Sequence, residues 1–377
     1  MGKSEVYRVD CEKELRTLVG ESMLEYDVLA SAISTWHFVN LLALIEAKSL
    51  KNVYCIVCPE IQPNGGFNFR LTEEYVINYA SKFKKIIFVN FVSEVSFARS
   101  VLFLFKRRKK DIIYINPGAR PNLKLLFTLS VKPYSFCAID EGLGTYLPIS
   151  DFKKGFPFTK QHNLHWDRIK EFVIIILNIF LFRQKERCYL YNKQDDGRLI
   201  LNQLICKELR KIYSKTIGKA NYQQQKTVFI LTDYGIIDTK YLLMLFDKLF
   251  HELKEIDRII IKRHPNDTDT SLRVLTEKYD NITLIESKKS AEELVAEYTP
   301  IILIGGYTTS LFSCSAIYNI KSLSYMGLCE NIPYCSIQGR KEINFFLKCF
   351  ENNQLVNCPL STMDFLDELK KMLNGKL

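Results

Sequence analysis

The sequence has no hydrophobic run long enough to cross a bilayer and too few cysteines for a disulfide scaffold. The longest apolar run, Phe172–Phe182, has eleven residues, whereas a spanning helix needs about twenty. The eleven cysteines are an odd number and cannot all pair. The first thirty residues carry mixed charges and lack the apolar segment of a secretory signal. These absences predict a cytoplasmic chain in a reducing compartment.

The composition is that of a folded globular chain. The 377 residues are 47% hydrophobic and 25% charged, and a chain of this length has room for two domains. Internal repeats are absent. The one close cysteine pair, Cys55 and Cys58, lies in an apolar run, which predicts a buried strand rather than a zinc knuckle. We therefore expect no zinc site at this pair.

The formal net charge of +10 suits nucleic acid, a membrane surface or an anionic substrate. The sequence has no recognisable nucleic-acid-binding module, so we expect no nucleic-acid partner. Basic residues flank Phe172–Phe182 on both sides. Two interpretations of this run stay open: peripheral contact with the inner face of the cytoplasmic membrane, or a buried helix with solvated charged ends.

Short β-rich runs alternate with helical stretches, a pattern that predicts parallel sheets with helices on both faces. The first set of predicted strands is Tyr26–Ile33, Val53–Val57, Lys85–Phe91, Asp111–Ile115 and Phe136–Ile139. The second set is Thr227–Leu231, Arg258–Ile261, Ile282–Leu284, Ile301–Ile304 and Ser322–Ser324. The pattern predicts two Rossmann-like domains at 1–150 and 226–345, a basic and aromatic connector at 151–225, and a C-terminal helical segment at 346–377.

Ligands of open α/β sheets bind beyond the carboxyl ends of strands, so the turns there are the candidate sites. The turn after Ile139 begins with two adjacent acids and a glycine, Asp140, Glu141 and Gly142. Neighbouring like charges with partial burial raise the pKa of one carboxylate, which makes it a candidate general base. The alternative is an ordinary acidic turn.

Two turns of the second half suit phosphate. Lys262–Pro265 (KRHP) places an imidazole between positive charges and a rigid proline, so it can offset the charge of a departing phosphate. In the other turn, glycines and hydroxyls precede a helix predicted to start near Leu311, an arrangement that binds anions. Its members are Gly305, Gly306, Thr308, Thr309 and Ser310. Helix capping is the simpler interpretation of its hydroxyls.

Two weaker turns lie in the first half. Ser34 and Thr35 precede a predicted helix, and Thr35, Trp36 and His37 are candidate contacts of a sugar. The glycine-containing loop 62–70 offers Asn64 and Arg70. Core packing explains Trp36 equally well.

Together, the acidic turn, the His-Pro turn and the hydroxyl turn resemble the motifs of the bacterial sialyltransferases. Asp140–Gly142 is similar to their D/E-D/E-G motif, Lys262–Pro265 to their HP motif, and Thr309–Ser310 to their paired-hydroxyl motif, where two serines are often found. The order and strand-end placement of the motifs carry the resemblance over residues 26–345. Polysialyltransferase-like and lipooligosaccharide or O-antigen sialyltransferase-like families both fit, and the segment 140–146 (DEGLGTY) favours the first.

The resemblance implies a glycosyltransferase-B fold, in which two Rossmann-like domains face a central cleft. It implies an inverting, metal-independent transfer of sialic acid from CMP-sialic acid to a hydroxyl of a bacterial surface glycan, such as capsule polysialic acid, lipooligosaccharide or O-antigen. Domain 1–150 would face the glycan acceptor and carry the catalytic base, and domain 226–345 would bind the nucleotide-sugar donor. Segment 346–377 would pack back on the N-terminal domain.

The resemblance also implies the role of each residue. Glu141 would be the base, supported by Asp140, and His264 would assist departure of the CMP phosphate. Glu286 would hold the ribose, with Glu292 as the alternative. The donor-binding set is Lys262, Arg263, Pro265, Glu286, Gly305, Gly306, Thr308, Thr309 and Ser310. The contacts with the transferred sugar or the acceptor would be Thr35, Trp36, His37, Asn64, Arg70 and Gly142.

Two alternative functions stay open from the sequence. The same anion-binding turns would serve a glycosyltransferase-B enzyme with another donor, CMP-Kdo or a UDP-sugar. A non-catalytic protein that binds anions or nucleic acid would use the net charge of +10 and would show a steep salt dependence of binding.

Overall fold

The computed structural model describes fifteen segments of the chain, and they fall into two compact units. The segments are residues 4–21, 25–58, 60–61, 67–68, 71–90, 112–116, 135–140, 184–193, 199–215, 226–232, 239–264, 271–287, 289–306, 308–331 and 355–375. The first unit holds the described residues up to 140 together with 184–189. The second unit holds those from 190 onward.

The first unit is built on a parallel sheet. In chain order its elements are β1 (Glu5–Val9), α1 (Glu12–Glu21), β2 (Val28–Ala32), α2 (Thr35–Lys48), β3 (Val53–Val57), β4 (Glu60–Ile61), β5 (Phe67–Asn68), α3 (Glu73–Ile77), a 3-10 turn (Ala80–Lys82), β6 (Lys85–Val89), β7 (Ile113–Asn116), β8 (Ser135–Ile139) and β9 (Gln184–Cys188). Seven of these strands form the sheet in the order β1-β6-β3-β2-β7-β8-β9, with every described pairing parallel. The short strands β4 and β5 form a separate antiparallel pair.

The core of the first unit follows from its apolar strands. All five residues of β2, β3 and β6 are buried, as expected for strands of a parallel sheet that is covered on both faces. Helix α2 begins after Ser34, whose side chain accepts the His37 N–H, and ends at Ser49 in the left-handed conformation. Residues 38–45 of α2 are all buried, so this helix packs as part of the core.

The second unit contains a six-stranded parallel sheet. Its elements are β10 (Tyr191–Lys193), β11 (Leu199–Leu201), α4 (Gln203–Lys215), β12 (Thr227–Leu231), α5 (Thr239–Glu252), β13 (Arg258–Lys262), α6 (Arg273–Lys278), β14 (Ile282–Ile285), α7 (Ala291–Tyr298), β15 (Ile302–Gly305), α8 (Thr309–Tyr318), β16 (Ser322–Ser324), a 3-10 segment (Tyr325–Asn331), β17 (Val356–Asn357) and α9 (Thr362–Leu373). The sheet order is β14-β13-β12-β15-β16-β17. Strands β10 and β11 form an antiparallel pair.

Both sheets reverse their strand order in the Rossmann manner. The chain runs outward through β12, β13 and β14, then returns to the other side of β12 with β15. In the first sheet the same reversal falls between β2 and β7. The predicted pair of Rossmann-like α/β units is therefore confirmed. Ligands of such sheets bind beyond the carboxyl ends of the strands at the reversal.

All ten predicted strands are present, with ends shifted by up to two residues. The sequence did not predict β1, β9 or β17, which lie at the edges of the two sheets. It also did not predict the short paired strands β4, β5, β10 and β11. Strand β9 and helix α4 fall inside the predicted connector 151–225, and the domain boundaries stay predictions.

The C-terminal segment contributes to the second unit. Strand β17 pairs with β16, and Lys370 of α9 forms an ion pair with Glu252 of α5 at 2.9 Å. Its predicted packing on the N-terminal domain stays a prediction.

No helix in the described segments is long and apolar enough to span a membrane. The run Phe172–Phe182 lies outside those segments, so both interpretations of it stay open.

Candidate functional site

The strand reversal of the second sheet brings two predicted turns and one further residue to a single edge. Thr232 follows β12, Gly305 ends β15 and is followed by Gly306, and the turn at 262–264 ends β13. Because β13, β12 and β15 are parallel neighbours, their carboxyl ends lie at the same edge of the sheet. The structure thus groups the His-Pro turn with the glycine and hydroxyl turn, which are separate in sequence.

Thr232 fixes the turn that carries His264. The His264 backbone N–H donates to the Thr232 hydroxyl at 3.2 Å, and the Thr232 N–H donates to the Lys262 carbonyl oxygen at 3.2 Å. Thr232 is buried, whereas His264 and Arg263 are half-buried. The turn is therefore anchored to the neighbouring strand through its backbone. Pro265 lies outside the described segments.

The hydroxyl turn opens α8. The helix begins at Thr309, two residues before the predicted start, and Thr308 is its N-cap, accepting the Ser310 N–H at 3.3 Å. Thr308, Thr309 and Ser310 are all half-buried. The first backbone N–H groups of a helix are not satisfied by the helix itself, and its dipole favours an anion there. The turn therefore combines capping with the chemistry of an anion site.

The paired glycines before α8 have a packing reason. A Cβ on Gly305 would lie 3.2 Å from both the Leu231 carbonyl oxygen and Leu311 Cδ1. The Gly306 N–H donates to the same Leu231 oxygen at 3.2 Å. The first turn of α8 can approach β12 this closely because residue 305 has no side chain. Gly305 thus allows the start of α8 to pack against the end of β12.

A buried charge network lies beside this edge. Lys262, the last residue of β13, is 8% exposed, and Glu292, in the first turn of α7, is 5% exposed. Burial lowers the pKa of Lys262, and the nearby Glu292 carboxylate partly offsets that effect. Burial raises the pKa of Glu292, opposed by hydrogen bonds from the hydroxyls of Ser313, Ser290 and Ser310.

Glu292 links the buried lysine to the start of α8. The Ser313 hydroxyl donates to the Glu292 carboxylate and lies 3.3 Å from the Ser310 carbonyl oxygen. The Tyr318 hydroxyl donates to the Glu292 carbonyl oxygen at 2.8 Å. A carboxylate buried among hydroxyls and near an ammonium group holds these elements in one arrangement.

Glu292→Gln is expected to change how stability depends on pH. The pKa of Glu292 is raised above its usual 4.5 in the folded chain, so folded protein holds this proton more tightly than unfolded protein. The stability it contributes is complete below the unfolded pKa and is lost as pH rises through the folded pKa. The glutamine has no such proton. The urea midpoint of wild type should therefore fall relative to that of Glu292→Gln as pH rises above 4.5, the usual pKa of a glutamate. Parallel midpoint curves would contradict this account, and exposed Glu277→Gln is the matched control.

Glu286 lies at the surface and forms an ion pair with Arg263 of the His-Pro turn. Its carboxylate is 2.8 Å from Arg273 and 3.4 Å from Arg263, and its side chain is 50% exposed. The ion pair with Arg273, aided by Arg263, lowers the pKa of Glu286. The structure thus brings Glu286 to the turn at 262–264. Its role as the ribose ligand stays a prediction.

The described residues of the first unit include Asp140 of the acidic turn and the whole turn at the start of α2. Asp140 follows β8 and is 1% exposed, whereas Glu141 and Gly142 lie outside the described segments. Thr35, Trp36 and His37 form the first turn of α2 and are half-buried. Trp36 Nε1 is buried and makes no hydrogen bond within the described segments. Asn64 and Arg70 also lie outside them.

Sequence reasoning missed the supporting residues Thr232 and Ser313. Thr232 could have been found from its position, because it directly follows a predicted strand of the second half. Ser313 faces Glu292 through the packing of α7 against α8, and the sequence offers no signal for that contact.

Comparison with protein-family models matches residues 29–326 of this chain to the alpha-2,8-polysialyltransferase family. The chain belongs to the alpha-2,8-polysialyltransferase family. The resemblance to bacterial sialyltransferases is therefore confirmed, and the chain is a glycosyltransferase that acts on bacterial surface glycans. The two Rossmann-like units agree with the glycosyltransferase-B fold class.

This polysialyltransferase-family chain has distant structural likenesses. It is similar to the E. coli heptosyltransferase WaaC with ADP-2-deoxy-2-fluoro heptose at 10% identity, covering 93% of this chain and 99% of that chain, with a TM-score of 0.42. It is also similar to S. aureus MnaA, in a structure with UDP. The identity is 11%, the match covers 93% of this chain and 97% of that chain, and the TM-score is 0.45. It is similar to Acinetobacter baumannii MurG at 10% identity, with 93% of this chain and 92% of that chain covered and a TM-score of 0.41. No curated protein matches. These likenesses are distant, and nothing about the activity of this chain follows from them.

Proposed function

We propose that this chain is an inverting, metal-independent sialyltransferase that takes CMP-sialic acid as its donor. Its acceptor is a hydroxyl of a sialic acid chain on a bacterial surface glycan, as in capsule polysialic acid. The family match supports the sugar transferred and an α-2,8 linkage. The observation that carries the donor assignment is the sheet edge where the turn of His264 and the start of α8 lie on neighbouring strands of one reversal.

The chemistry of that edge suits the CMP phosphate. The start of α8 brings the Thr309 hydroxyl, a hydrogen-bond donor, and a helix dipole that attracts negative charge. The Ser310 hydroxyl, the second member of the pair, donates to Glu292 in this structure. Lys262 and Arg263 add positive charge. Negative charge grows on the phosphate as CMP leaves, so donors fixed in advance lower the barrier. His264 donates a hydrogen bond or a proton to the departing oxygen.

The acidic turn of the first unit supplies the base. The acceptor hydroxyl loses its proton to Glu141 while its oxygen attacks the anomeric carbon from the face opposite CMP, which inverts the configuration. Asp140, which supports Glu141 in this proposal, is buried directly after β8. The half-buried turn of α2, with Thr35, Trp36 and His37, is the candidate contact of the acceptor.

The leaving group needs no metal ion in this scheme. Lys262 and Arg263 stand at one strand end and provide the positive charge that a divalent cation gives to phosphate in other enzymes. A UDP-sugar or CMP-Kdo donor would use the same groups, so the nucleotide preference separates the candidates.

Thermal unfolding with added nucleotides tests the donor. A ligand that binds only folded protein stabilises it by about 2.7 kcal/mol at 100 times its Kd, which raises Tm by about 5 °C or more for a unit of this size. CMP should give this rise, and UMP, UDP and GDP should not. The variant Thr309→Val, which leaves the bond from Ser310 to Glu292 in place, should weaken the CMP effect. A preference for UDP, or no response to any nucleotide, would overturn the proposal.

A further inference from the structure

Two buried thiols and a carboxylate lie together at one edge of the first sheet. Cys137 of β8 and Cys188 of β9 have their Sγ atoms 3.6 Å apart, and both are buried, at 2% and 8% exposure. A carboxylate oxygen of Glu186 and both Sγ atoms all lie within 4.8 Å of one another. No step of the proposed function uses these three residues.

The parallel register explains why the three side chains meet. Cys137 is opposite Glu186 in the pairing of β8 with β9, and Ile139 is opposite Cys188. Residues two apart on a strand point to the same face, as do residues directly opposite each other on neighbouring strands. Cys137, Glu186 and Cys188 therefore project from one face of the sheet.

The same register argues against a disulfide. Cys188 is two residues beyond the partner of Cys137, so strand spacing and rise put the two Cα atoms about 8 Å apart. A disulfide needs Cα atoms closer than about 7 Å without backbone movement. The thiols meet because their side chains lean together. Their Sγ separation of 3.6 Å is close to the distance of about 3.8 Å between two thiolates on a tetrahedral zinc ion with Zn–S bonds of about 2.3 Å.

The surroundings of Glu186 suit a third ligand beside the two thiols. The ammonium of Lys48, the last residue of α2, forms an ion pair with Glu186 Oε1, which leaves Oε2 for a metal ion. Ligating carboxylates commonly carry such a second hydrogen bond. The Glu186 side chain is 50% exposed, so an ion has a route from solvent. Two thiolates and one carboxylate exceed the charge of a divalent ion by one, and Lys48 offsets the excess.

We propose that Cys137, Cys188 and Glu186 bind a thiophilic divalent ion, with Zn²⁺ as the natural occupant and water as its fourth ligand. Binding releases the two thiol protons to solvent as the two Zn–S bonds form. The ion joins the edge strand β9 to β8, the strand that leads into Asp140. The site therefore stabilises the strand that presents the acidic turn.

Cobalt(II) titration of the reduced, chelator-treated full chain tests the site. We expect one equivalent of Co²⁺ to give thiolate charge-transfer and tetrahedral absorption bands, and one equivalent of Zn²⁺ to abolish them. Cys137→Ser and Cys188→Ser should lose the charge-transfer band. Cys55→Ser, at a buried cysteine of β3, should keep it. Glu186→Gln changes a half-exposed side chain and should weaken Zn²⁺ affinity at least about tenfold without unfolding the chain.

Three results would overturn the site. These are the absence of a thiolate band in folded reduced protein, a band that survives in both Cys137→Ser and Cys188→Ser, and a Zn²⁺ affinity that is unchanged in Glu186→Gln. A Cys137–Cys188 disulfide found by mass spectrometry in protein purified without reductant would assign the pair to redox chemistry instead.

Discussion

Glu141→Gln is expected to lower the rate of sialic acid transfer about 10²–10⁴-fold, the usual contribution of a general base. The amide keeps the size of the side chain but cannot accept the proton of the acceptor hydroxyl. Binding of CMP should persist, because the donor turns lie in the second unit and the acidic turn follows β8 of the first. The measurement is kcat with saturating CMP-sialic acid, together with the thermal shift by CMP.

The control for Glu141→Gln is Glu277→Gln, on an exposed position of α6. It should keep both transfer and CMP binding. If Glu141→Gln retained more than about a tenth of wild-type kcat, the base would have to be another residue. A variant that lost both transfer and the CMP shift would point to misfolding, so far-UV circular dichroism accompanies the assay.

His264→Asn is expected to lower kcat about 10²–10⁴-fold, the usual contribution of a general acid. Asparagine keeps a short polar side chain but cannot give a proton to the leaving phosphate. The backbone bond from residue 264 to Thr232 is retained, so the turn keeps its shape. KM for the donor should change less than kcat, because the lost interaction grows as CMP departs.

The chain offers a matched control for this change. His251 lies at the exposed end of α5, and His251→Asn should leave transfer unchanged. Thr232→Val removes the acceptor of the His264 N–H and should give a smaller loss than His264→Asn. Equal kcat values for His264→Asn and His251→Asn would exclude His264 from leaving-group departure.

The central strands could be predicted because parallel sheets bury them on both faces. Strands such as β2, β3 and β12 read as continuous apolar runs. Two of the missed strands lie at the edges of the first sheet and have polar sequences, EVYRV for β1 and QKERC for β9. Edge strands carry charge on their open side and lose the apolar pattern, so their pairing is visible only in the fold.

The residues of the candidate site also divide into those that the sequence could predict and those that it could not. The turns at His264 and at Thr308–Ser310 could be predicted, since parallel strands deliver their ends to one edge. The Glu292 network and the thiol cluster could not. The Glu292 network depends on how α7 packs against α8. The thiol cluster joins two cysteines that are 51 positions apart in the sequence, and one of them lies in β9, a strand that the sequence did not predict. Glu141 was predicted from its turn and stays a prediction.

The most direct measurement of the central claim follows the reaction itself. Purified protein is incubated with CMP-sialic acid and a short fluorescent α-2,8-linked sialic acid oligomer, with chelator present, and CMP release and oligomer length are measured together. The account predicts one CMP released for each sialic acid added, and an α-linkage in the product by NMR, inverted from the β-configuration of the donor. A folded protein that leaves CMP-sialic acid intact but consumes a UDP-sugar would contradict it.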